Sequence, residues 1–430
     1  MVFGYLKHTE AANFRLLCRN VAELGLQYIV PTVYVRLQKK SYHRLSAIAE
    51  HPVVSNYVRE ICCEIDVLAH LSREEFEEST TFQAYKPPGF DDSARARRAL
   101  NRTVRADSRE KMDLAFSIYQ GYLTDQEYMR HSDFFPVEVA KAMKQLPNLR
   151  ILGLETGCTV ERFEEDMGLI LGAPFRVAWS DGYDEPCAGT LTILSMLLGA
   201  GNVGLNLETL HCSPVSWGLL HQNDEEFAIR KESMRYLRNL ELQMLLPLLH
   251  EDTMMALDDE EEDEFNAYLE NKRLVEFVTS AADLTDLSVE FYTCDAMLSV
   301  ELKYIVGDFH WRQLGTVTFD TIKSTEAGLV GFCSKHSGTL KSVTLRDVHL
   351  IEEGNWPSVF QKMRRTLKLE VVQMSGLLGC DEGSFWNMDE YTIGAADNLR
   401  DRQRVSAYLL DHGGEDMSYI DFAAKMCWSE

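Results

Sequence analysis

The stretch LGTVTFDTIKSTEAGLVGFCSKHSGTLKSVTL, residues 314–345, holds one short pattern twice. It reads LGTVTF at Leu314, Val317 and Phe319, and LKSVTL at Leu340, Val343 and Leu345. In each copy the last two apolar residues are two apart, which places them on one face of a strand. The first apolar residue, three earlier, enters the core from the preceding turn. Between the copies the period becomes helical, with Leu329, Phe332 and Cys333 on one side of EAGLVGFCSKH. After the second copy, NWPSVFQKMRRTL gathers Trp356, Phe360 and Met363 in the same way. The unit predicted here is a strand followed by a helical return.

The pattern recurs along the chain. It appears as LRILGL (Leu149, Leu152, Leu154), LETLHC (Leu207, Leu210, Cys212), LRNLEL (Leu237, Leu240, Leu242) and LTDLSV (Leu284, Leu287, Val289). A last copy is LEVVQM (Leu369, Val372, Met374), and an early one is VREICC (Val58, Ile61, Cys63). Copies from Leu284 onward begin 30, 26 and 29 residues apart, close to the roughly 20–29 of leucine-rich repeats. One such unit buries too little apolar surface to offset the ordering of its own chain, so it must lean on its neighbours. The expected fold is therefore α/β, a leucine-rich-repeat-like solenoid of strand plus helical return. A compact α/β sheet is the rival. Its strands, covered on both faces, would read as continuous aliphatic runs. Here Thr316, Thr318, Ser342, Thr344 and Gln373 interrupt the strands, so one face is expected to be wet.

Two spacings are wide, 58 residues from Leu149 to Leu207 and 47 from Leu237 to Leu284. The second contains LDDEEEDEF, with seven consecutive acidic residues from Asp258 to Glu264. Mutual repulsion in such a run predicts a solvated acidic loop near 256–266, and the absence of a mid-loop glycine speaks against an EF-hand calcium site. Gly199, Gly201 and Gly204 match the spacing of a dinucleotide-binding fingerprint. That fingerprint needs a strand before the glycines and a helix after them. Here the helical TLTILSMLL precedes and the strand LETLHC follows, so the glycines are expected to end a helix and turn the chain.

The totals narrow the function classes. The chain has 430 residues, 45% apolar and 26% charged, with 43 basic against 67 acidic residues and a net charge of −24. Nucleic-acid readers carry a basic face, so nucleic acid is not an expected partner. The one arginine-rich stretch, Arg95 to Arg109, is read as a solvated segment facing an acidic neighbour. Lys7, His8 and Glu10 interrupt the apolar opening at once, unlike a signal peptide. No apolar run approaches the roughly 18 residues of a membrane span. The ten cysteines form no CxxC pair, and reduced thiols in the cytoplasm or nucleus are expected.

Chemistry is sparse. HExxH, GxxxxGK[ST] and GxSxG do not occur. His250, Glu251 and Asp252 read as a helix end, and His211 and Cys212 as structural residues of a repeat strand. No catalysis, cofactor or metal is expected.

The opening YLKHTEAANFRLLCRNVAELG resembles the second half of an F-box. Leu6 sits at that motif's leucine, and Phe14, Leu16, Leu17, Cys18 and Arg19 sit at its leucine–valine–cysteine–arginine core. The segment from VPTVYV to VREI is similar to the link that follows in fungal F-box proteins with divergent leucine-rich repeats. FSIYQGYLTDQEY and VAKAMKQLPNLRILGL are similar to their middle, and LKSVTLRDVHLIEEGNWPSVFQKMRRTL to their late repeats. The resemblance covers residues 1–160 and 314–380, and the middle only as a pattern. It implies partial F-box helices at 1–30, an irregular repeat region at 31–400 and a C-terminal cap or tail at 401–430. It further implies a substrate receptor of a cullin–RING (SCF) ubiquitin ligase, docking the ligase adaptor through Leu6, Phe14, Leu16, Leu17, Cys18 and Arg19 and holding a protein target on the repeats. The family's leucine–proline first helix has no counterpart in the chain. Either adaptor docking is crippled by truncation, or the true start lies upstream of Met1. A free-standing repeat scaffold whose opening helices cap the stack is the alternative. The exposed strand residues Thr316, Thr318, Lys341, Ser342, Thr344 and Gln373 are the candidates for target contact.

Overall fold

The computed structural model describes residues 31–64, 68, 70–82, 109–131, 134–155, 170, 188–220, 223–246, 259–292, 299–352, 354–380, 385–387, 403 and 405–410. The chain divides into two compact units, Met1–Val203 and Gly204–Glu430. Each is an α/β structure built on parallel strands.

In the first unit, β1 (Thr32–Arg36), helix α1 (Lys39–Glu50) and β2 (Glu60–Glu64) are followed by helices α2 (Arg73–Phe82), α3 (Arg109–His131) and α4 (Phe134–Met143). Strand β3 (Ile151–Glu155) and helix α5 (Ala188–Asn202) complete it. The strands are parallel and in register, Val33 with Ile61 with Leu152, and Val35 with Cys63 with Leu154. All six side chains are buried. Helix α5 buries Ile193, Met196, Leu197 and Ala200, the i, i+3, i+4, i+7 stripe of a core-facing helix. Gly199 lets this helix come close to α4, since a Cβ there would lie 3.2 Å from that of Ala140. A second apolar cluster joins Leu68 and Phe76 to Met112, Ala115, Tyr119 and Leu123 of α3.

The second unit runs through β4 (Thr209–Ser216), α6 (Asp224–Met234), β5 (Asn239–Leu245), α7 (Asp259–Glu270), α8 (Arg273–Thr279) and β6 (Asp286–Tyr292). It continues with β7 (Val300–Glu301), α9 (Leu302–Val306), β8 (Thr316–Thr325), α10 (Glu326–Lys335), β9 (Ser342–Ile351) and α11 (Trp356–Thr366). Strands β10 (Val371–Ser375), β11 (Leu377–Cys380) and β12 (Phe385–Asn387) close the order. Parallel pairing places Leu210, Leu240, Leu287, Val317, Val343 and Val372 on successive rungs. Cys212, Leu242, Val289, Phe319, Leu345 and Met374 form the next row. Every one of these side chains is buried. The only antiparallel pair among the described residues is β11 with β12.

A backbone device repeats with the template. The carbonyl of its second residue accepts the N–H groups of the second and third residues of the next copy. In the second unit Glu208 accepts from Arg238 and Asn239, Arg238 from Thr285 and Asp286, and Thr285 from Gly315 and Thr316. Gly315 then accepts from Lys341 and Ser342, and Lys341 from Glu370 and Val371. In the first unit Pro31 accepts from Arg59 and Glu60, and Arg59 from Arg150 and Ile151. So β1, with Val33 and Val35 buried, follows the same strand pattern as the copies found by spacing. Pro31 has no N–H to offer, which costs nothing on a strand with no earlier neighbour among the described residues.

Three features stand outside the template, the first of them a difference from expectation. The acidic stretch expected as a loop near 256–266 is helical from Asp259 as α7. Carboxylates favour the positive end of a helix dipole, and Phe265 and Leu269, four apart, are buried with the ring of Phe265 5.9 Å from that of Trp217. Second, β8 and β9 extend past the template through one left-handed residue each, Thr321 (φ 55°) and Asp347 (φ 49°). Gly376 (φ 68°) does the same between β10 and β11. The bulges at Thr321 and Asp347 reverse which side chains face inward, so that Ile322 and Val348 are buried beyond them, whereas Leu378 is buried in phase with Val372 and Met374. Third, residues 405–409 are helical, with Val405 and Leu409 buried and the Ser406 hydroxyl donating to the Val372 carbonyl at 3.3 Å.

The glycines of the fingerprint spacing do end a helix. Gly199 and Gly201 lie in α5, Gly204 turns the chain at φ 67°, and β4 follows. Among the described residues no helix is long and apolar enough to cross a membrane.

Candidate interaction surface

Strand alternation decides where polar chemistry can sit. With one face of β4 to β10 committed to the core, the intervening residues project together from the other face. One row is His211, Glu241, Ser288, Thr318, Thr344 and Gln373, aligned by register. The row beside it is Gln243, Glu290, Asp320, Arg346 and Ser375. The residues singled out for target contact lie on this face or at its edge. Thr316, Thr318, Ser342 and Thr344 are half-buried, and Lys341 and Gln373 are exposed. The adaptor-contact candidates Leu6, Phe14, Leu16, Leu17, Cys18 and Arg19 lie outside the described residues, as do His250, Glu251 and Asp252.

Most of the charge on the face comes from residues that sequence reasoning passed over. Glu241 takes a 2.9 Å hydrogen bond with Nδ1 of His211, both side chains over 40% exposed. That hydrogen bond holds the Glu241 carboxyl below its ordinary range, against a burial effect of opposite sign. Gln243 Nε2 reaches Oε1 of Glu241 and Oε2 of Glu290, each at 3.4 Å. Glu290 also accepts from the hydroxyls of Ser288 (3.2 Å) and Tyr292 (3.5 Å). On the next strand Arg346 Nη1 donates to Asp320 Oδ2 at 3.0 Å, and its Nε donates to Ser375 Oγ at 3.2 Å. Asp347 caps the neighbouring bulge by accepting the Leu377 N–H at 2.7 Å.

Asp320 is the strained member. It is buried, and its register partner on β6 is Glu290, so two carboxylates stand opposite one another on adjacent strands, an arrangement that destabilises a sheet. Burial raises the Asp320 carboxyl to about 6, with Asp347 and Glu290 adding to the rise and Arg346 and Thr321 opposing it. Burial also raises the Tyr292 phenol, with Glu290 and Asp320 next in effect, although its ring remains 43% exposed. The face is thus a hydrogen-bonded polar sheet surface with excess negative charge.

The matching face of the first unit is smaller. Thr32 Oγ1 donates to Glu60 Oε2, and Arg36 Nε to Glu64 Oε2, both at 2.6 Å. Between them Cys62 is buried, its thiol pushed up by burial and by Glu155, and Gly153 leaves room for its sulfur at 3.4 Å from where a Cβ would stand.

Among the described residues no group of three or more His, Cys, Asp and Glu side chains is placed to hold a metal ion. Such a surface can bind by hydrogen bonds and ion pairs across several strands at once. Compared with models of known protein families and with the curated proteins, the chain matches none.

Proposed function

We propose that this chain is a non-catalytic protein-interaction protein, a leucine-rich-repeat-like solenoid acting as an F-box-type substrate receptor of a cullin–RING (SCF) ubiquitin ligase inside the cell. The observation that carries the interaction part is the open strand face. Its polar rows are held in register by a ladder of buried aliphatic residues from Leu210 to Val372. Regular strands present side chains at fixed spacing, which suits an extended partner. The ligase part rests on the resemblance of Leu6 and Phe14 to Arg19 to the adaptor-docking half of an F-box. Co-expression of the tagged chain with a cullin–RING adaptor tests it. Co-elution is expected, with loss in a Leu16→Asp/Leu17→Asp variant. A chain that folds and never retains adaptor would leave the free-standing repeat scaffold in its place.

A further inference from the structure

The polar strand face of the second unit has a charge pattern that selects its occupant. Five carboxylates belong to it or its rim, namely Glu241, Asp286, Glu290, Asp320 and Asp347; Arg346 and the imidazole of His211 lie among them and Lys341 stands at the rim. Each of these is engaged, His211 with Glu241, Arg346 with Asp320 and Lys341 with Glu370. Among the described residues Glu290 has only neutral donors, from Gln243, Ser288 and Tyr292, while facing Asp320 across one strand spacing. Strands lie about 4.8 Å apart, and Arg346 is committed to the buried Asp320. A cation placed on Glu290 would ease the repulsion of this pair, and the exposed Tyr292, whose hydroxyl donates to Glu290, offers a ring face for such a cation. Positions that break the like-charge rule without a local gain are where binding sites are expected.

From these observations we infer that this face binds an extended protein segment rich in lysine or arginine, one of whose cations seats on Glu290 against Tyr292. The inference names the target class for the receptor read above and rests on that reading only for its biological setting. The carboxylates lie across the strands, Glu241 on β5, Asp286 and Glu290 on β6 and Asp320 on β8, so several cations of one segment can meet them. Nucleic acid is disfavoured by the same carboxylates.

The test uses the full chain and three synthetic peptides of equal length in fluorescence anisotropy. One alternates lysine with serine, one glutamate with serine, and one glutamine with serine. The lysine peptide is expected to bind, the other two not, and raising salt should weaken binding because the contacts are ionic. A Glu241→Gln/Glu290→Gln variant should lose about tenfold in affinity, the loss of two partly exposed ion pairs. A Thr344→Lys variant, which adds a cation to the same face, should lose affinity too. The control is Glu74→Gln/Glu110→Gln, two exposed carboxylates on α2 and α3 of the other unit, which removes the same net charge. If this control weakens binding as much as Glu241→Gln/Glu290→Gln does, the attraction is bulk charge and the inference fails. Equal binding of the glutamine peptide, or binding indifferent to both face variants, overturns it as well. Adaptor retention is a separate readout. A chain that binds the lysine peptide through Glu290 but retains no adaptor keeps this inference and loses the ligase reading.

Discussion

Replacing Phe319 and its neighbour Thr318 separates the two faces of the sheet. Phe319 is fully buried and sits in register between Val289 and Leu345, with its ring 5.4 Å from that of Phe332 on α10 in an edge arrangement. Thr318, one residue earlier, lies on the polar face, half-buried. Phe319→Ala removes the ring from a position that both neighbouring strands and the return helix enclose, so little collapse can fill the space. Such truncations cost about 3–5 kcal/mol. Thr318→Ala changes an apolar-lined methyl and hydroxyl near solvent and should stay within about 0.5 kcal/mol. The assay is urea unfolding followed by tryptophan fluorescence, for which buried Trp311 and Trp356 report on the second unit. With a urea slope of about 3 kcal/mol per molar, Phe319→Ala lowers the midpoint by about 1–1.7 M and Thr318→Ala barely moves it. Equal shifts for the two variants would refute the alternation, since a slip of one residue exchanges the faces.

Three further outcomes follow from particular contacts. Gly376→Ala should destabilise the chain by more than the roughly 1–2 kcal/mol of a left-handed residue with a side chain, because its Cβ would lie within 2.5 Å of the Asp347 carboxyl carbon. Part of that loss should be recovered in Asp347→Ala/Gly376→Ala, as read from a double-mutant cycle in urea. His336 is buried, its Nε2 accepting the Trp311 N–H at 3.1 Å and its Nδ1 paired with the Phe332 carbonyl at 2.9 Å. Burial first, then His310 and Lys335, lower its affinity for a proton. The unfolded chain therefore binds the proton more readily, so this contribution is full above about pH 6.5 and fades as pH falls; His336→Gln should flatten the melting temperature between pH 7 and 5. Asp320 works in the opposite direction. Its carboxyl holds a proton to about 6 against a usual 3.8, so its contribution is full below 3.8 and lost as pH rises through 6. Relative to the parent, Asp320→Asn should gain about 3 kcal/mol between pH 3.5 and pH 7, measured by urea unfolding at each pH. A difference independent of pH would show that Asp320 ionises as a solvent-exposed carboxyl does.

What the sequence made legible was what depends on one strand at a time. Leu314, Val317 and Phe319 announce their face because burial alternates locally, and every copy of the template found by spacing is a buried rung. The copy at Val33 and Val35 is readable by the same rule, with Pro31 ahead of it a residue that argues against a central strand and is harmless at an edge. The acidic α7 was obscured for a related reason. Its charge run outweighed Phe265 and Leu269, although two apolar residues four apart after a set of carboxylates is also how a helix begins.

The candidate site depends on several strands at once, and there local pattern gives no signal. Glu290 and Asp320 each follow the last apolar residue of a template copy, an ordinary place for a solvated carboxylate. They become a facing pair because the return through β7 and α9 brings β8 beside β6 with Asp286 opposite Thr316. A shift of one residue in that pairing would set Glu290 beside an apolar neighbour and leave the repulsion, the raised Asp320 carboxyl and the cation seat without a basis. The length of the return segment thus determines the charge of the binding face. Insertions there should change what the surface binds before they change whether the unit folds.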